Sequence, residues 1–334
     1  MQKSPSLICK GVYMPEISVV IPVYNVEKYI ERCVRSLFGQ SLDSIEYIFI
    51  DDCSPDNSIA IMQQVLKEFP NRREQIKVIH HERNLGVGAA RNHGVAACTG
   101  DYIIHCDSDD WVDSDFYETM YKKAVETGAD VVWAPFVVES ADNSIAVLPK
   151  TADSIKSYIR KNSGGHFNSL WNKLYRKEIA LLQNLIVPDE ICFGEDFLRN
   201  IQMLNVCRSI AFVSGTYYHY WQNPTSMTHN RSEKYFLNLN AILNILQNKY
   251  PDKYLAVRRR LKSDMITESL ANMNKCSRLL DCFNEIWDNT SFSEKLKIIF
   301  FSNTPVRGKI AIAVGCISKS LMLFCIRQVL KRKQ

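Results

Sequence analysis

Residues 17–25 have the sequence ISVVIPVYN, and this stretch decides the fold class. Ile17–Val23 is a nearly continuous run of apolar, mostly β-branched residues, which is typical of a strand buried on both faces of a sheet. Pro22 removes a backbone donor near the end of the run, and Asn25 tolerates a turn, so the strand should end here. Taken alone, the segment predicts only a buried strand and the turn that terminates it.

Similar apolar runs follow along the chain, and helical patterns separate them. The predicted strands are Ile45–Ile50, Ile76–Ile79, Tyr102–Ile104 and Val131–Val138. The predicted helices follow Asn25, cover Asn57–Phe69 and Val87–Ala97, and run to Val125 from a cap at Asp113 or Ser114. This alternation predicts right-handed βαβ units and a mostly parallel sheet flanked by helices. Ligands of such sheets bind beyond the carboxyl ends of the strands.

Composition narrows the class of protein. The 334 residues suffice for one large α/β domain and a smaller region, and 46% apolar with 23% charged residues is ordinary for a globular protein. The net charge of +5 comes from 41 basic and 36 acidic residues and lies partly at the C-terminus, so we expect no nucleic-acid partner. The 11 cysteines form no CxxC pair, and no leader with a cleavage site precedes the first strand, so we expect a cytoplasmic protein.

The strongest polar clusters follow the second and fourth predicted strands. Asp51 and Asp52 come directly after a buried strand, where a carboxylate can accept a hydrogen bond from the N3–H of a uracil ring. Asp107 and Asp109 stand two residues apart on extended backbone, so they can converge on one cation that also binds a diphosphate. The alternatives are a helix cap at Asp56 or Asn57 for the first cluster and a solvated acidic turn for the second.

Two further segments carry polar groups. NLGVGAARN, residues 84–92, has small residues that let a helix lie close to the sheet, and Arg91 can contact a base or a phosphate. Its GxG follows the third strand and not the first, which does not fit a dinucleotide-binding loop. In the segment FGEDF, residues 193–197, the charges of Glu195 and Asp196 can repel each other and make one carboxylate a better proton acceptor and a general base; the alternative is an acidic helix N-terminus stabilised by the dipole.

In this order, the clusters resemble family 2 of the inverting bacterial glycosyltransferases. The matching segments are PVYN, DD-x-S-x-D, N-x-G-x-x-x-A-R-N, the D-x-D turn, W-N-K-L-Y and the ED pair, across residues 16–226. The resemblance implies a GT-A-type α/β fold and a metal-dependent enzyme that transfers a sugar from a nucleoside-diphosphate sugar, with UDP as the expected nucleotide. The acceptor is expected to be a glycan or a lipid-linked saccharide in surface polysaccharide biosynthesis.

The resemblance also implies a role for each matching position. The nucleotide sugar would be held by Pro22, Tyr24, Asp51, Asp52, Arg91, Asp107 and Ser108. Mn²⁺ or Mg²⁺ would be bound by Asp109, with Asp107 on the ribose or metal side and His219 as a further ligand; a packed core histidine is the equal alternative for His219. Asp196, beside Glu195, would deprotonate the acceptor. The acceptor side would include Trp171, Asn172 and Lys173, although Trp171 can equally be a core anchor.

Two departures from the family pattern stand out. Cys53 occupies the position after the DD pair where the family has glycine, which constrains the turn without removing chemistry. The Q-x-x-R-W motif of the processive members is absent, so we expect one sugar to be transferred per encounter.

The chain is predicted to have a lead-in at 1–15, a catalytic domain at 16–226, a helical region at 227–289 and a tail at 290–334. Leu296–Phe301 and Ile310–Ile326 in the tail are short apolar segments with basic flanks, too short or too interrupted to span a bilayer. They favour association with the cytoplasmic face of an anionic membrane, and a helical hairpin packed on the catalytic domain is the alternative.

Three other functions fit the sequence less well. A nucleotidyltransferase would have a Gly-rich, basic loop after the first strand, where PVYN stands. A nicotinamide dehydrogenase would have GxGxxG there. A catalytically inactive sugar-binding module would not need Asp107, Asp109 and Asp196 together, and a donor-hydrolysis assay distinguishes it from an enzyme.

Overall fold

The computed structural model describes residues 15–149, 169–182, 186–223, 233–251 and, between 258 and 319, several short stretches of which 286–301 is the longest. The chain divides into two compact units. The first comprises residues up to 190 together with 195–224, and the second comprises 191–194 and the residues from 225 onward. Almost all of the predicted lead-in at 1–15 lies outside the described residues, and the four predicted segments remain predictions.

The first unit contains the strands and most of the described helices. Its strands are β1 Ile17–Val23, β2 Ile45–Asp51, β3 Ile76–His80, β4 Tyr102–His105, β5 Trp111–Val112, β6 Val131–Trp133, β7 Phe136–Glu139, β8 Ser144–Val147, β9 Lys173–Arg176, β10 Ile210–Phe212 and β11 Tyr218–Trp221. Its helices are α1 Ile30–Phe38, α2 Ser58–Leu66, α3 Val87–Ala96, α4 Phe116–Thr127, α5 Lys177–Ala180 and α6 Glu195–Val206, with a 3₁₀ turn at Pro70–Gln75.

The strands form two sheets. The larger sheet has the order β10-β6-β9-β4-β1-β2-β3, and its strands β4, β1, β2 and β3 are parallel to their neighbours in that set. Strand β9 runs antiparallel to both β4 and β6. The smaller sheet has the order β5-β11-β7-β8. The α/β class with a mostly parallel sheet flanked by helices is therefore confirmed.

The core forms where the β-branched runs predicted it. Every residue of β1 except Pro22 is buried, and α1 packs an apolar face that contains Ile30, Val34 and Leu37, whose spacing places them on one side of a helix. Helix α3 approaches the sheet closely, because a Cβ at Gly94 would lie 2.4 Å from Cγ1 of Val20. The small residues of α3 therefore serve close packing, as their composition predicted.

The single strand predicted over Val131–Val138 is wrong. The chain instead forms β6 in the larger sheet and β7 in the smaller sheet, and Pro135 lies between them. Proline has no N–H to donate to a ladder, so the pairing of β6 cannot continue through it. The carbonyl of Pro135 accepts from the N–H of Tyr218, which is the first pairing contact of β7 with β11.

The start of α4 also differs from the prediction. The helix begins at Phe116 with Asp115 at the N-cap, and not at a cap on Asp113 or Ser114. Asp113 is unavailable as a cap because its carboxylate accepts from the N–H of Tyr217 at 2.8 Å, next to β11. Helix α2 is likewise shorter than predicted and ends at Leu66.

In the second unit, the described helices are α7 Glu233–Lys249 and α8 Phe292–Phe301. Helix α7 buries Phe236, Ile242 and Leu246, and the Oδ1 atom of Asn238 accepts from two backbone N–H groups, those of Cys192 and Phe193. Most of Ile310–Ile326 lies outside the described residues. Among the helices that the structure describes, none combines the length and the apolar character needed to cross a bilayer.

Candidate active site

The predicted site residues of the PVYN, DD and DSD segments lie at the carboxyl ends of β1, β2 and β4. Val23 pairs with Asp51 in the β1–β2 register, and the N–H of Asp52 donates to the carbonyl of Val23 at 3.0 Å. The N–H of Cys106 donates to the carbonyl of Val20 at 3.0 Å, so the turn that follows β4 begins beside the same strand. The parallel pairing thus brings the DD segment and the DSD turn to one edge of the larger sheet.

The two aspartates after β2 hold different partners. Asp52 is buried, and its carboxylate accepts from the N–H groups of Leu85 and Gly86, both at 2.8 Å, while Nδ1 of His81 lies 2.7 Å away. These contacts fix the loop that leads into α3, in which Gly86 has a φ of 91°. Asp52 therefore shapes the segment that carries Arg91, in addition to any contact with a nucleotide base.

Asp51 lies nearer the surface than Asp52. One carboxylate oxygen accepts from the N–H of Ser54 at 2.8 Å, and the other lies 2.8 Å from Nδ1 of His80. Tyr24 lies at the end of the neighbouring strand and is 48% exposed, so an aromatic face is available beside this carboxylate edge. Pro22 is partly buried in the strand, as its position predicts.

Cys53 adopts a backbone conformation that favours glycine. Its φ is 57°, in the left-handed region, and its side chain is exposed. A side chain in this region costs roughly 1–2 kcal/mol relative to glycine because Cβ approaches the following carbonyl. The departure from the family pattern at this position therefore places backbone strain directly after the two aspartates.

Arg91 joins the DSD turn to the helix that carries the ED pair. Its Nη2 donates to Oδ1 of Asp107 at 2.7 Å, and its Nη1 donates to Oε1 of Glu195. The guanidinium is buried, which by itself would lower its pKa, but the charges of Asp107 and Glu195 outweigh burial and raise the pKa of Arg91. In this structure Arg91 is bound to protein carboxylates, so its predicted contact with a nucleotide would be made by the part of the guanidinium that these bonds leave open.

The surroundings of Asp109 disfavour its charged form. Burial, followed by the negative charge of Asp107, raises the pKa of Asp109 to about 6. Its Oδ2 accepts from Nδ2 of Asn223 at 3.3 Å, and Ser108 beside it is buried. A divalent cation would relieve the repulsion between the two carboxylates, because each negative charge would then face a positive one.

His219 is engaged by carboxylates that belong to other segments. Its Nδ1 lies 2.8 Å from Oε1 of Glu139 and its Nε2 lies 3.1 Å from Oδ1 of Asp113. Its ring stacks on Trp111 at 5.0 Å between centroids. The structure does not offer a free ring nitrogen of His219 to Asp107 and Asp109, so a role as metal ligand requires one of these contacts to break. Within the described residues, no group of three or more His, Cys, Asp or Glu side chains is arranged to hold a metal.

Glu195 and Asp196 begin α6 after Gly194, whose φ is 76°. Burial raises the pKa of Glu195 to about 7, against the opposing charge of Arg91 and with a further contribution from Asp196. Burial is also the main cause that raises the pKa of Asp196. Burial is thus the main cause of the raised pKa of Asp196, and its acidic neighbour contributes less. This corrects the cause expected from the sequence, which was repulsion between the two acids. Asp196 is also the more exposed of the two.

The predicted acceptor-side residues are buried. Trp171 stacks on Tyr218 at 4.2 Å between centroids, and Asn172 donates to the carbonyl of Ala134 at 3.2 Å. Lys173 lies over the ring of Trp133 at 4.0 Å, its ammonium donates to Oδ1 of Asn172 at 3.0 Å, and burial lowers its pKa well below the usual value. These contacts make the three residues part of the core, so any effect on an acceptor would be indirect.

Two residues that contact or belong to the turn after β4 were not predicted from the sequence: Asp110 and Arg32. Asp110 is fully buried and accepts from the hydroxyl of Tyr218 and from the N–H of Trp221, both at 2.7 Å. Arg32 donates to the carbonyl of Asp109 at 3.1 Å and lies 3.6 Å from the ring centroid of Trp111. The sequence did contain a hint of a separate role for Asp110. The turn has three carboxylates, and two are enough to contact one cation and one ribose.

Comparisons with known proteins identify the family of the chain. Residues 18–199, more than half of the chain, match the family described as glycosyl transferase family 2. The chain belongs to glycosyl transferase family 2, and it is therefore an enzyme of the transferase class.

Among its relatives, an uncharacterized glycosyltransferase, EpsJ of Bacillus subtilis, is 31% identical over 64% of this chain and 63% of its own length. The putative glycosyltransferase EpsH of the same organism is 32% identical over 66% of this chain and 65% of its own. The matches thus span slightly less than two thirds of either relative. The crystal structure of S. aureus TarS 1–349 in complex with UDP superposes with a TM-score of 0.69 at 17% identity, covering 96% of this chain and 92% of that one. At this identity the likeness establishes the fold.

Proposed function

We propose that this enzyme transfers a sugar from a UDP-linked donor to a hydroxyl of a glycan or lipid-linked saccharide, with inversion at the anomeric carbon, in surface polysaccharide biosynthesis. The observation that carries the proposal is the pair of bonds made by Arg91, which joins Asp107 in the donor-side turn to Glu195 at the start of α6. In such a transfer, protein groups must bind the nucleotide on one side of the anomeric carbon, and other groups must act on the acceptor hydroxyl on the opposite side. This bridge holds the two carboxylate segments together.

The choice of donor rests on the carboxylate edge and on a structural neighbour. S. aureus TarS 1–349 has been solved with UDP and with UDP-GlcNAc, the latter at a TM-score of 0.64 and 18% identity. In the present chain, Tyr24 offers an exposed aromatic face, and the partly exposed carboxylate of Asp51 can accept the N3–H of uracil, whereas Asp52 is buried and would have to release one of its present partners to do so. A pyrimidine ring with one N–H donor fits these groups.

The turn after β4 fits a divalent cation. Asp107 and Asp109 supply hard oxygen ligands, and since burial and the charge of Asp107 raise the pKa of Asp109, a positive partner would stabilise its charged form. Mg²⁺ is commonly bound by one or two carboxylates together with substrate phosphates, so two protein ligands are enough. Asp107 and Asp109 would hold Mn²⁺ or Mg²⁺, which would neutralise charge on the departing diphosphate.

The protein's own groups then perform the transfer. The carboxylate of Asp196 accepts the proton of the acceptor hydroxyl while that oxygen attacks the anomeric carbon from the side opposite the nucleotide. Burial raises the pKa of Asp196, which makes it a stronger proton acceptor than an ordinary aspartate. The hydrogen bond from Arg91 to Glu195 holds the first turn of α6 next to the turn that contains Asp107. One displacement of this kind inverts the configuration.

A single substitution distinguishes this enzyme from an inactive sugar-binding module. In Asp196→Asn, transfer from a UDP-sugar should fall by at least ~100-fold, because general-base catalysis contributes about 10²–10⁴-fold. UDP affinity, measured by calorimetry, should stay within a factor of about two. The matched control is Asp142→Asn, an exposed aspartate in the β7–β8 connection, which should transfer at the parent rate.

The donor is first found by screening a panel of nucleotide sugars for binding and for UDP release. If Asp196→Asn transfers at the parent rate, Asp196 is not the base and Glu195 becomes the candidate. If the parent binds none of the UDP-sugars, the donor assignment is wrong.

We also propose that the tail at 290–334 associates with the cytoplasmic face of an anionic membrane. The support is the alternation of apolar segments with basic residues, which include Lys331, Arg332 and Lys333. The full chain should float with phosphatidylglycerol vesicles and not with phosphatidylcholine vesicles, and replacing those three residues by Gln should weaken flotation. Equal flotation of both proteins, or none by the parent, would contradict the assignment and favour a tail that packs on protein.

A further inference from the structure

The hydroxyl of Tyr218 makes two hydrogen bonds with the turn that follows β4. It accepts from the N–H of Asp107 at 3.0 Å and donates to Oδ2 of Asp110 at 2.7 Å. Tyr218 and Asp110 are both fully buried. One hydroxyl therefore satisfies a backbone donor at the start of the turn and a carboxylate at its end, and no water can substitute without entering the core.

The same strand holds the turn at one further point, and the turn makes one bond across itself. The N–H of Trp221 donates to Oδ1 of Asp110 at 2.7 Å, and the N–H of Asp110 donates to the carbonyl of Asp107 at 3.1 Å. The conformation of residues 107–110 is thus set by bonds that run from β11 and by one bond across the turn itself. Asp109 lies between the two residues that Tyr218 contacts.

Packing fixes the ring that carries this hydroxyl. The ring of Tyr218 stacks on Trp171 with centroids 4.2 Å apart and planes 13° from parallel. Phe116 packs on it at 6.2 Å, and Trp171 is in turn held edge-to-face by Phe136 at 4.9 Å. A tyrosine held by aromatic neighbours from separate segments cannot turn its hydroxyl away from the turn without disturbing the core.

We infer that Tyr218 is a positioning residue that, with Asp110, holds Asp107 and Asp109 in the arrangement needed to bind a cation together with a nucleoside diphosphate. Asp110 on this assignment is no metal ligand, because both of its oxygens are occupied by Tyr218 and Trp221. The assignment rests on the proposed function, since it presupposes a cation at Asp107 and Asp109. It explains why the turn contains three carboxylates.

The test measures how much Mn²⁺ strengthens the binding of UDP, with no turnover involved. UDP affinity is determined by calorimetry in Mn²⁺ and in EDTA for the parent, Tyr218→Phe, Asp110→Asn and the double variant. Tyr218→Phe keeps the ring and loses the hydroxyl, so the strengthening by Mn²⁺ should fall by about tenfold, while affinity in EDTA stays within about twofold. Asp110→Asn should act in the same direction, because the single amide oxygen cannot take the places of both carboxylate oxygens, which accept from the O–H of Tyr218 and the N–H of Trp221.

Two comparisons separate positioning from a general loss of stability. Tyr47→Phe removes another buried hydroxyl, which donates to the carbonyl of Leu37 at a distance from the turn, and it should keep the full effect of Mn²⁺. The double variant should lose no more than the worse single variant, since both single variants break the bond that joins Tyr218 to Asp110. If Tyr218→Phe does not fold, Asp110→Asn carries the same test.

The outcomes also separate this inference from the proposed function. If the parent gains affinity with Mn²⁺ and Tyr218→Phe gains as much, Tyr218 does not position the turn, and the proposed function stands. If Tyr47→Phe loses the effect equally, the loss is a general one and the inference is overturned. If the parent gains nothing from Mn²⁺, the metal assignment and this inference fail together, while UDP binding in EDTA still tests the donor.

Discussion

Nη2 of Arg91 donates to Oδ1 of Asp107 across 2.7 Å, and only 7% of the arginine side chain is exposed. A buried cation of this kind is stable because carboxylates face it, and the carboxylates in turn depend on the cation. The pair therefore belongs to the fold as much as to the chemistry, and the two roles can be measured separately.

Replacing Arg91 by Met should destabilise the fold by about 3–5 kcal/mol, because it leaves Asp107 and Glu195 without their shared partner. Urea denaturation of the parent and the variant measures this change. Arg35→Met is the matched control, since Arg35 pairs with Glu68 at the surface, where solvent screens the charges, and its loss should change stability far less. Equal effects of the two substitutions would show that the buried bridge adds no more stability than a surface ion pair.

Cys53→Gly should stabilise the protein by about 1 kcal/mol. The φ of Cys53 is 57°, a conformation that disfavours any residue with a Cβ, and the gain is reduced by the greater freedom of glycine in the unfolded chain. Chemical denaturation with the slope held common to all variants gives the difference. Cys53→Ala keeps the Cβ and should show no such gain, so a gain equal to that of glycine would mean that the thiol, and not the backbone, is responsible.

The rate of transfer should depend on pH through Asp196. Burial raises the pKa of this group above the ordinary aspartate value of about 3.9, and the base acts only when it is deprotonated. The value of kcat/KM should therefore rise with pH through that raised pKa, and the acidic limb should lie above pH ~4. A profile measured between pH 4.5 and 9 checks this, with circular dichroism at each pH to exclude unfolding. An acidic limb no higher than that of an ordinary aspartate would contradict the raised pKa.

Asp109→Asn should weaken the binding of UDP in Mn²⁺ by at least about tenfold and leave binding in EDTA nearly unchanged, because a neutral amide is a poor ligand for a hard cation. The fold should persist, since the carboxylate of Asp109 makes one long bond of 3.3 Å with Asn223, which an amide can also make. Calorimetry with and without Mn²⁺ measures both affinities, with Asp142→Asn as the control. Equal binding by parent and variant in Mn²⁺ would remove Asp109 from the metal site.

Much of the fold could be predicted because its first half is built from local patterns. The β-branched runs of β1 and β2 are buried on both faces, so composition alone identified them. The place of β9 could not be predicted. It lies between β4 and β6, antiparallel to both, and is separated from them by long stretches of chain, so no local pattern encodes that pairing.

The candidate site likewise has residues that could be predicted from the sequence and contacts that could not. Asp51, Asp107 and Asp109 were predicted because residues that follow parallel strands meet at one sheet edge. The partners of His219 were not predicted, because Glu139 and Asp113 come from segments whose approach depends on the smaller sheet. Asp110 was missed because its hydrogen-bond donor, the hydroxyl of Tyr218, lies more than a hundred residues away in sequence.

Pro135 joins two sheets through a connection of only two residues, Ala134 and Pro135 itself. Side chains alternate between the faces of a strand, so inserting or deleting one residue here would reverse the faces of every later residue in β7 relative to β6. Strand β11 pairs with β7, and so the hydroxyl of Tyr218 would move away from the turn it holds. The length of this connection thus fixes the register between the two sheets. We expect insertions and deletions to be tolerated more readily in other loops of the enzyme than in this one.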